Sequence, residues 1–340
     1  LFSEERFVYR QIDDVKALRI FEEQIKIGSR RSIRRWWKYA AVLLLPLLIG
    51  GIWKWKSLEK GVSVVVQIPA EIRPGSQQAV LVLDDGQRVA LKEKGEGEIL
   101  VGERVRATKG KDRLVYAQGI PESDEIVRFN ELEVPRGGEY KVTLSDGSLV
   151  YLNSVTRIKY PVVFSRKERK VFLSGEAYFE VAKDAAHPFV VEVCDSKIQV
   201  LGTGFNVRSY SEEGQIVTTL VEGAVCFESI EDRVILKPGE QSILDKEGQL
   251  QKRVVEVYPF VAWKEGRFIF RKQRLEDIMV MVSRWYNVEV YFEDDESKEI
   301  TFSGGMMRYE GFEALMKMIE TVGSINCTIK DNTVFIAKRK

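Results

Sequence analysis

Histidine is almost absent from this sequence: one residue, His187, in 340. General acid–base catalysis and zinc binding both favour imidazole, and a lone histidine directly before Pro188 reads as a turn residue. Cysteine is scarce as well. Cys194, Cys226 and Cys327 form no C-x-x-C pair, and an odd count leaves at least one thiol unpaired. Cys194 and Cys226 lie in strand-like runs that a disulfide could join in an oxidising compartment. Charge excess is missing too. The 52 basic residues face 51 acidic ones, +1 overall, whereas a nucleic-acid partner asks for a basic domain. No zinc spacing, P-loop or EF-hand loop occurs. Residues 201–204 supply only a G-x-G fragment between strands, not the turn ahead of a helix that a dinucleotide needs. Asp294, Asp295 and Glu296 cluster between two strands and read as a solvated turn rather than a metal site. No catalytic residue, metal or cofactor is expected.

What is present begins with an apolar run. Residues 39–53, YAAVLLLPLLIGGIW, carry no charge. As a helix the run covers only ~22 Å, but from Trp36 to Trp55 it reaches ~30 Å, the thickness of a bilayer core. Trp36, Trp37, Trp53 and Trp55 suit the two interfaces, and Lys38 and Lys54 can snorkel to the headgroups. No small-residue cleavage site follows, which argues against a signal peptide. Arg30, Arg31, Arg34, Arg35 and Lys38 precede the run, so the positive-inside rule predicts a cytoplasmic N-terminus. Before it, Ile12, Val15, Leu18, Phe21 and Ile25 recur at helical spacing. That amphipathic stub, with Phe7, is either a plain juxtamembrane helix or a partner-binding one.

From Ser63 to about Tyr258 short alternating runs such as YKVTL, SLVYL and FVVEV are separated by glycine turns. Asp85-Gly86 and Asp146-Gly147 are hairpin signals, compatible with type I′ turns. An all-β domain follows, as a sandwich, roll or solenoid. Residues 74–91 (PGSQQAVLVLDDGQRVAL) and 135–152 (PRGGEYKVTLSDGSLVYL) match at a constant offset of 61. They read as a duplicated hairpin, or as two hairpins made alike by their DG turns. After Trp263 the period changes. RFIF, VEVYF, EITFSG, INCTI and TVFIAK read as strands. Leu275, Ile278, Met279, Val282 and Trp285 mark one helix, and Phe312, Leu315, Met316, Ile319 and Val322 a second. The order βαββαββ predicts a small α/β sheet with helices on one face.

The fold class is therefore mainly β. The expected domains are a cytoplasmic stub (1–35), a transmembrane helix (36–55), a stalk and first β unit (56–130), a β domain (131–258) and a C-terminal α/β domain (259–340). Glu176, Glu180 and Glu222 remain as carboxylates for a membrane-anchored glycan-binding or glycan-cleaving protein, which needs only two.

The segment 134–226 adds a resemblance. VPRGGEYKVTLSDGSLVYLNSVTRIKYP, RKVFLSGEAYFEVAKDAAHPFVVEV, VLGTGFNVRSY and TLVEGAVCF carry in order the pattern of the FecR periplasmic domain. FecR-family proteins are anti-sigma factors of the iron-dicitrate-sensor type. The matching positions are Gly138, Glu139, Asp146, Gly147, Asn153, Gly175, Glu176, Phe179, Phe189, Gly202, Thr203, Phe205, Asn206 and Gly223, all structural in this reading. WKEGRFIF through RWYNVEVYF to ITFSGG resembles the accompanying C-terminal domain, similar to the secretin/TonB short N-terminal fold. The resemblance implies a regulator of the inner membrane whose bulk is periplasmic. The signalling domain of a TonB-dependent receptor would contact its C-terminal region. An extracytoplasmic-function sigma factor would be held by the cytoplasmic part, here Phe7, Ile12, Val15, Leu18 and Phe21, with a regulatory protease between the two. Family members carry a longer sigma-binding domain. With Leu1 at the start, the first part of that domain is expected to be missing.

Overall fold

The computed structural model describes residues 72–101, 105–117, 127–330 and 332–339. The apolar run with Trp36, Trp37, Trp53 and Trp55, and the stub with Phe7, Ile12, Val15, Leu18 and Phe21, lie outside them. Among the described residues no helix is long and apolar enough to cross a membrane.

Among the described residues nineteen strands come first. They are Ser76–Gln77 (β1), Val80–Val82 (β2), Arg88–Ala90 (β3), Gly97–Val101 (β4), Val105–Lys109 (β5) and Leu114–Tyr116 (β6). Phe129–Val134 (β7), Gly138–Thr143 (β8), Leu149–Leu152 (β9), Thr156–Pro161 (β10) and Arg169–Glu180 (β11) follow. Then come Phe189–Val193 (β12), Ser196–Val200 (β13), Gly204–Ser209 (β14), Ile216–Glu222 (β15) and Val225–Glu228 (β16). Arg233–Leu236 (β17), Glu240–Leu244 (β18) and Leu250–Val254 (β19) complete the set. All belong to one curled, mainly β sheet. It has two layers. Layer I runs β3-β2-β7-β10-β11-β12-β13-β16-β17. Layer II runs β4-β5-β6-β8-β9-β11-β14-β15-β18-β19.

The twelve-residue β11 belongs to both layers. Arg169–Phe172 pair in parallel with β12, whereas Gly175–Glu180 pair with β14. The crossing point is Gly175, at φ 107°, where a Cβ would lie 2.6 Å from Thr156 Oγ1 and 2.7 Å from Val155 O. Only glycine satisfies both constraints. Strands such as β7 and β13 alternate buried and less buried residues along their length, as half-buried strands should. The buried rows of the two layers form one core. In it Phe179 stacks on Phe205 at 5.1 Å between centroids and meets Phe189 edge-on at 6.0 Å.

The 61-residue repeat is a repeat in three dimensions. Leu81 pairs with Val89 in β2/β3, and Val142 with Val150 in β8/β9. Gly86 N donates to Leu83 O and Gly147 N to Leu144 O, both at 2.9 Å. Asp85 and Asp146 each accept from the backbone two residues on, at 2.8 and 2.9 Å. The turns are not type I′. In each hairpin only the glycine has positive φ, 83° and 86°, and the two central residues do not. This is a type I turn closed by a left-handed glycine, which twists the strands by a G1 bulge. One copy lies in layer I and the other in layer II.

A short helix, Tyr258–Val261 (α1), and a 3-10 turn, Ala262–Glu265, lead to the C-terminal domain. Its elements are Arg267–Arg274 (β20), Leu275–Tyr286 (α2), Glu289–Phe292 (β21), Asp295–Lys298 (α3) and Thr301–Met307 (β22). Phe312–Gly323 (α4), Ile325–Lys330 (β23) and Thr333–Lys338 (β24) close the chain. In α2, Leu275, Ile278, Met279, Val282 and Trp285 are buried, and Glu276 and Asp277 favour the positive end of the helix dipole. Asn287 stops the helix in the left-handed region, φ 53°. The strands form two sheets, β20-β22 and β21-β24-β23, instead of the single one expected. Asp294 caps α3, accepting from Ser297 N at 2.7 Å. That extra helical turn separates β21 from β22, which pairs with β20.

Candidate functional site

Four polar motif residues stand on neighbouring strands of layer II: Glu139 on β8, Asn153 just after β9, Glu176 on β11 and Asn206 on β14. Asn153 Nδ2 donates to Glu176 Oε2 at 2.7 Å, and Asn206 Nδ2 to Glu176 Oε1 at 3.1 Å. The two amides present their oxygens to the C-terminal half of the chain. Asn206 Oδ1 accepts from Trp263 Nε1 at 3.0 Å, and Asn153 Oδ1 from Arg308 Nη2 at 2.8 Å. Glu139 Oε1 accepts from Tyr309 OH at 2.6 Å and Gln77 Nε2 at 2.9 Å. Its other oxygen lies 3.6 Å from Arg308 Nη1.

Arg308 is the centre of this junction and is 1 % exposed. Its Nη1 also donates to Trp263 O at 3.1 Å. Its guanidinium lies over the ring of Trp285. Burial lowers its pKa, and Glu139 and Glu176 oppose that shift. A second cluster sits beside it. Arg284 of α2 covers the ring of Tyr210 at 3.6 Å and pairs with Glu212 at 2.8 Å and Glu213 at 2.7 Å. Arg208 grips Glu213 bidentately at 2.8 and 2.7 Å. Burial pushes the Glu213 carboxyl up, yet Arg208 and Arg284 hold it below the ordinary glutamate value. Gly75 lies against Trp285, where a Cβ would come within 2.5 Å of the indole. A cleft of about 790 Å³ runs between this face of layer II and the β20–α2 side of the C-terminal domain.

The other motif positions serve the sandwich. Asp146 holds Ser148 in its turn and pairs with buried Arg169 at 2.8 Å, which also ties down Ala182 O and His187 O. Thr203 Oγ1 donates to Ala224 O at 3.1 Å, and Gly223, φ 89°, leaves room for that hydroxyl. Gly202, φ 152°, passes close to Lys183. Gly138 O accepts from Ser154 Oγ at 2.6 Å. Gly147 and Gly175 occupy the turn and the layer crossing, and Phe179, Phe189 and Phe205 the core. His187 lies in a turn built by Asp184, whose carboxylate is 2.7 Å from Nδ1. Cys194 and Cys226 are free thiols and not a disulfide. Cys194 sits at the β12/β13 turn with φ 50°, whereas Cys226 lies within β16. Glu176 engages both oxygens with amides, and Glu180 lies 3.7 Å from Lys264. Among the described residues no group of three acidic, histidine or cysteine side chains could hold a metal ion.

Sequence reasoning named Glu139, Asn153, Glu176 and Asn206 but missed what they bind. It passed over Arg208, Tyr210, Glu213, Arg284, Arg308 and Tyr309. A hint existed in Arg308, the one cation in the run GGMMRY.

The FecR protein family model matches residues 130–226, and the model of the FecR C-terminal region matches residues 267–336. Two crystal structures of a "putative anti-sigma factor" from Parabacteroides distasonis ATCC 8503 are similar, each with a TM-score of 0.58 and 27% identity. Each covers 62% of this chain, matched over 99% and 100% of its own length. A search of curated proteins finds no match. The first matched region contains the row from Glu139 to Asn206, and the second contains Arg284, Trp285, Arg308 and Tyr309. The junction therefore joins the two.

Proposed function

The chain belongs to the FecR family, and from that premise we propose that it is a single-pass inner-membrane anti-sigma regulator. In this reading its N-terminus is cytoplasmic and the residues after Trp55 are periplasmic. The C-terminal domain receives the signalling domain of a TonB-dependent outer-membrane receptor. The stub before the membrane, with Phe7, Ile12, Val15, Leu18 and Phe21, contributes to holding an extracytoplasmic-function sigma factor, and a protease completes the release.

The observation that carries this reading is the Arg308 junction. A regulator that receives a signal in one domain and answers through another needs a contact with two discrete arrangements. A buried guanidinium bonded to Asn153 and Trp263 and paired with Glu139 is suited to that role. A displaced C-terminal domain has to break those bonds together, because a half-satisfied buried network is costly. Two strands of the C-terminal domain, β21 and β23, are edges of their sheet. Such edges can pair with a partner strand.

The test is calorimetric titration of the full chain, in detergent, with the isolated periplasmic signalling domain of the TonB-dependent receptor encoded nearest this gene. Saturable one-to-one binding supports the proposal. Failure to bind that or any other receptor signalling domain of the same cell, together with binding to a glycan panel, rejects it in favour of the glycan reading.

A further inference from the structure

The cleft beside the junction has walls of different origin. Thr219, Gln241 and Arg253 face it from β15, β18 and β19, and Arg267, Arg271 and Lys272 from β20. Eight arginine and lysine side chains line it against four carboxylates. Three of those carboxylates are already engaged. Glu213 is held by Arg208 and Arg284, Glu176 by two asparagine amides, and Glu256 by Arg271 at 3.2 Å. Asp277 is the fourth; burial raises its pKa, and the nearby Arg274 opposes that shift.

Cations are left over. Among the described residues no carboxylate lies within 4.0 Å of Arg253, Arg267 or Lys272. Arg253 is oriented by a neutral group. Its Nε and Nη2 both donate to Gln241 Oε1, at 2.9 and 2.7 Å. Gln241 is fully buried and fixed in turn by its bond to Thr219 Oγ1 at 2.7 Å. Two further donors of lining residues, Arg274 Nε and Arg308 Nε, are buried without an acceptor. An arginine held in place by a neutral amide and without a counter-ion is a preformed receptor for an oxyanion, and the excess of cations over carboxylates lining the cleft favours an anion there. The volume lies in the range of small-molecule sites.

We propose that this cleft binds a small polyanion whose carboxylate or phosphate groups bridge Arg253 on the sandwich wall and Lys272 on the C-terminal wall. Such a ligand touches both domains and braces them independently of Arg308. The proposal does not depend on the identity of the receptor or of the sigma factor.

The experiment is calorimetry on the full chain in detergent, at constant ionic strength, with pyrophosphate and with tricarballylate as probes. One-to-one saturable binding of either probe is expected, and the tighter of the two identifies phosphate or carboxylate as the preferred group. Replacing Arg253→Gln together with Lys272→Gln should weaken it about tenfold or more, the loss of at least one charge-assisted hydrogen bond. Lys197→Gln, at an exposed position of β13 in layer I, should leave it unchanged. Lys272→Gln alone, at an exposed strand position, repeats the test without disturbing Gln241. The idea is overturned if neither probe saturates, if the double variant binds like the parent, or if Lys197→Gln weakens binding equally.

Discussion

The guanidinium of Arg308 lies 3.8 Å from the centre of the Trp285 ring, and Trp285 Nε1 donates to the carbonyl of the same Arg308 at 2.7 Å. The two residues therefore position each other twice, by a cation–π contact and by a backbone bond. Both belong to the C-terminal domain, so the arginine is set before it meets the sandwich. Its two terminal nitrogens then reach Asn153, Trp263 and Glu139. A flexible surface cation could not hold three acceptors in fixed directions. A preset planar fork can.

Arg308→Met should destabilise the junction by about 3 kcal/mol, because it leaves the buried Glu139 carboxylate without its cation and removes the bonds to Asn153 Oδ1 and Trp263 O. Arg308→Lys should recover little of that, since one ammonium cannot span the same acceptors. Urea unfolding followed by tryptophan emission reads both variants. Two of the six tryptophans, Trp263 and Trp285, lie in the junction, and the other four in 36–55. A lysine variant as stable as the parent would sink the view that the fork geometry matters.

Asn206→Asp tests the amide clamp on Glu176. The substitution removes a donor 3.1 Å from the carboxylate and puts a second carboxylate there. Two like charges in a buried site share a proton and titrate as a pair. Thermal stability should fall near neutral pH and recover on acidification, opposite to the parent. A pH profile parallel to that of the parent would show that Glu176 and Asn206 do not interact.

Much of the fold was legible because local signals decide it. The offset-61 hairpins could be aligned residue by residue, since Asp-Gly fixes where each chain reverses. The turn class was misread because Asp84-Asp85-Gly86 admits two framings. The glycine follows the two central residues and is not one of them. Both long C-terminal helices followed from three- and four-residue spacing. The junction was not legible in the same way. Arg308 meets Asn153 across 155 positions and Tyr309 meets Glu139 across 170. Spacing rules carry nothing at that range. A glutamate on a half-buried strand looks the same whether it faces water or another domain.

Gly175→Ala should be worse than an ordinary core change. The residue has φ 107° and a new Cβ would meet the backbone of Val155 and Thr156 at 2.7 Å. A cost of about 2–3 kcal/mol follows for the strain alone. The effect should appear as loss of both layers at once, because β11 is common to them. Chemical denaturation at two probes, near-ultraviolet circular dichroism and hydrogen exchange, should move together. Separate transitions for the two layers would contradict the shared-strand account.

Acid should loosen the junction through Glu213. Its carboxyl is held below the ordinary value by Arg208 and Arg284, so the folded state binds the proton less readily than the unfolded one. The stabilisation is complete above the unfolded glutamate value of ~4.3. It disappears as pH falls through the lower folded value. Glu212 shares Arg284, but it is more than half exposed and its part is screened. Exposed carboxyls elsewhere, such as Asp184, are common to parent and variant and cancel in the difference. The quantity to measure is the stability of Glu213→Gln minus that of the parent, from pH 7 downward. The gap should be largest at neutral pH and shrink below ~4.3, where the parent loses the charge that the variant never had. A gap that stays constant with pH would mean that the two arginines gain nothing from the charge of Glu213 and only fill space around it.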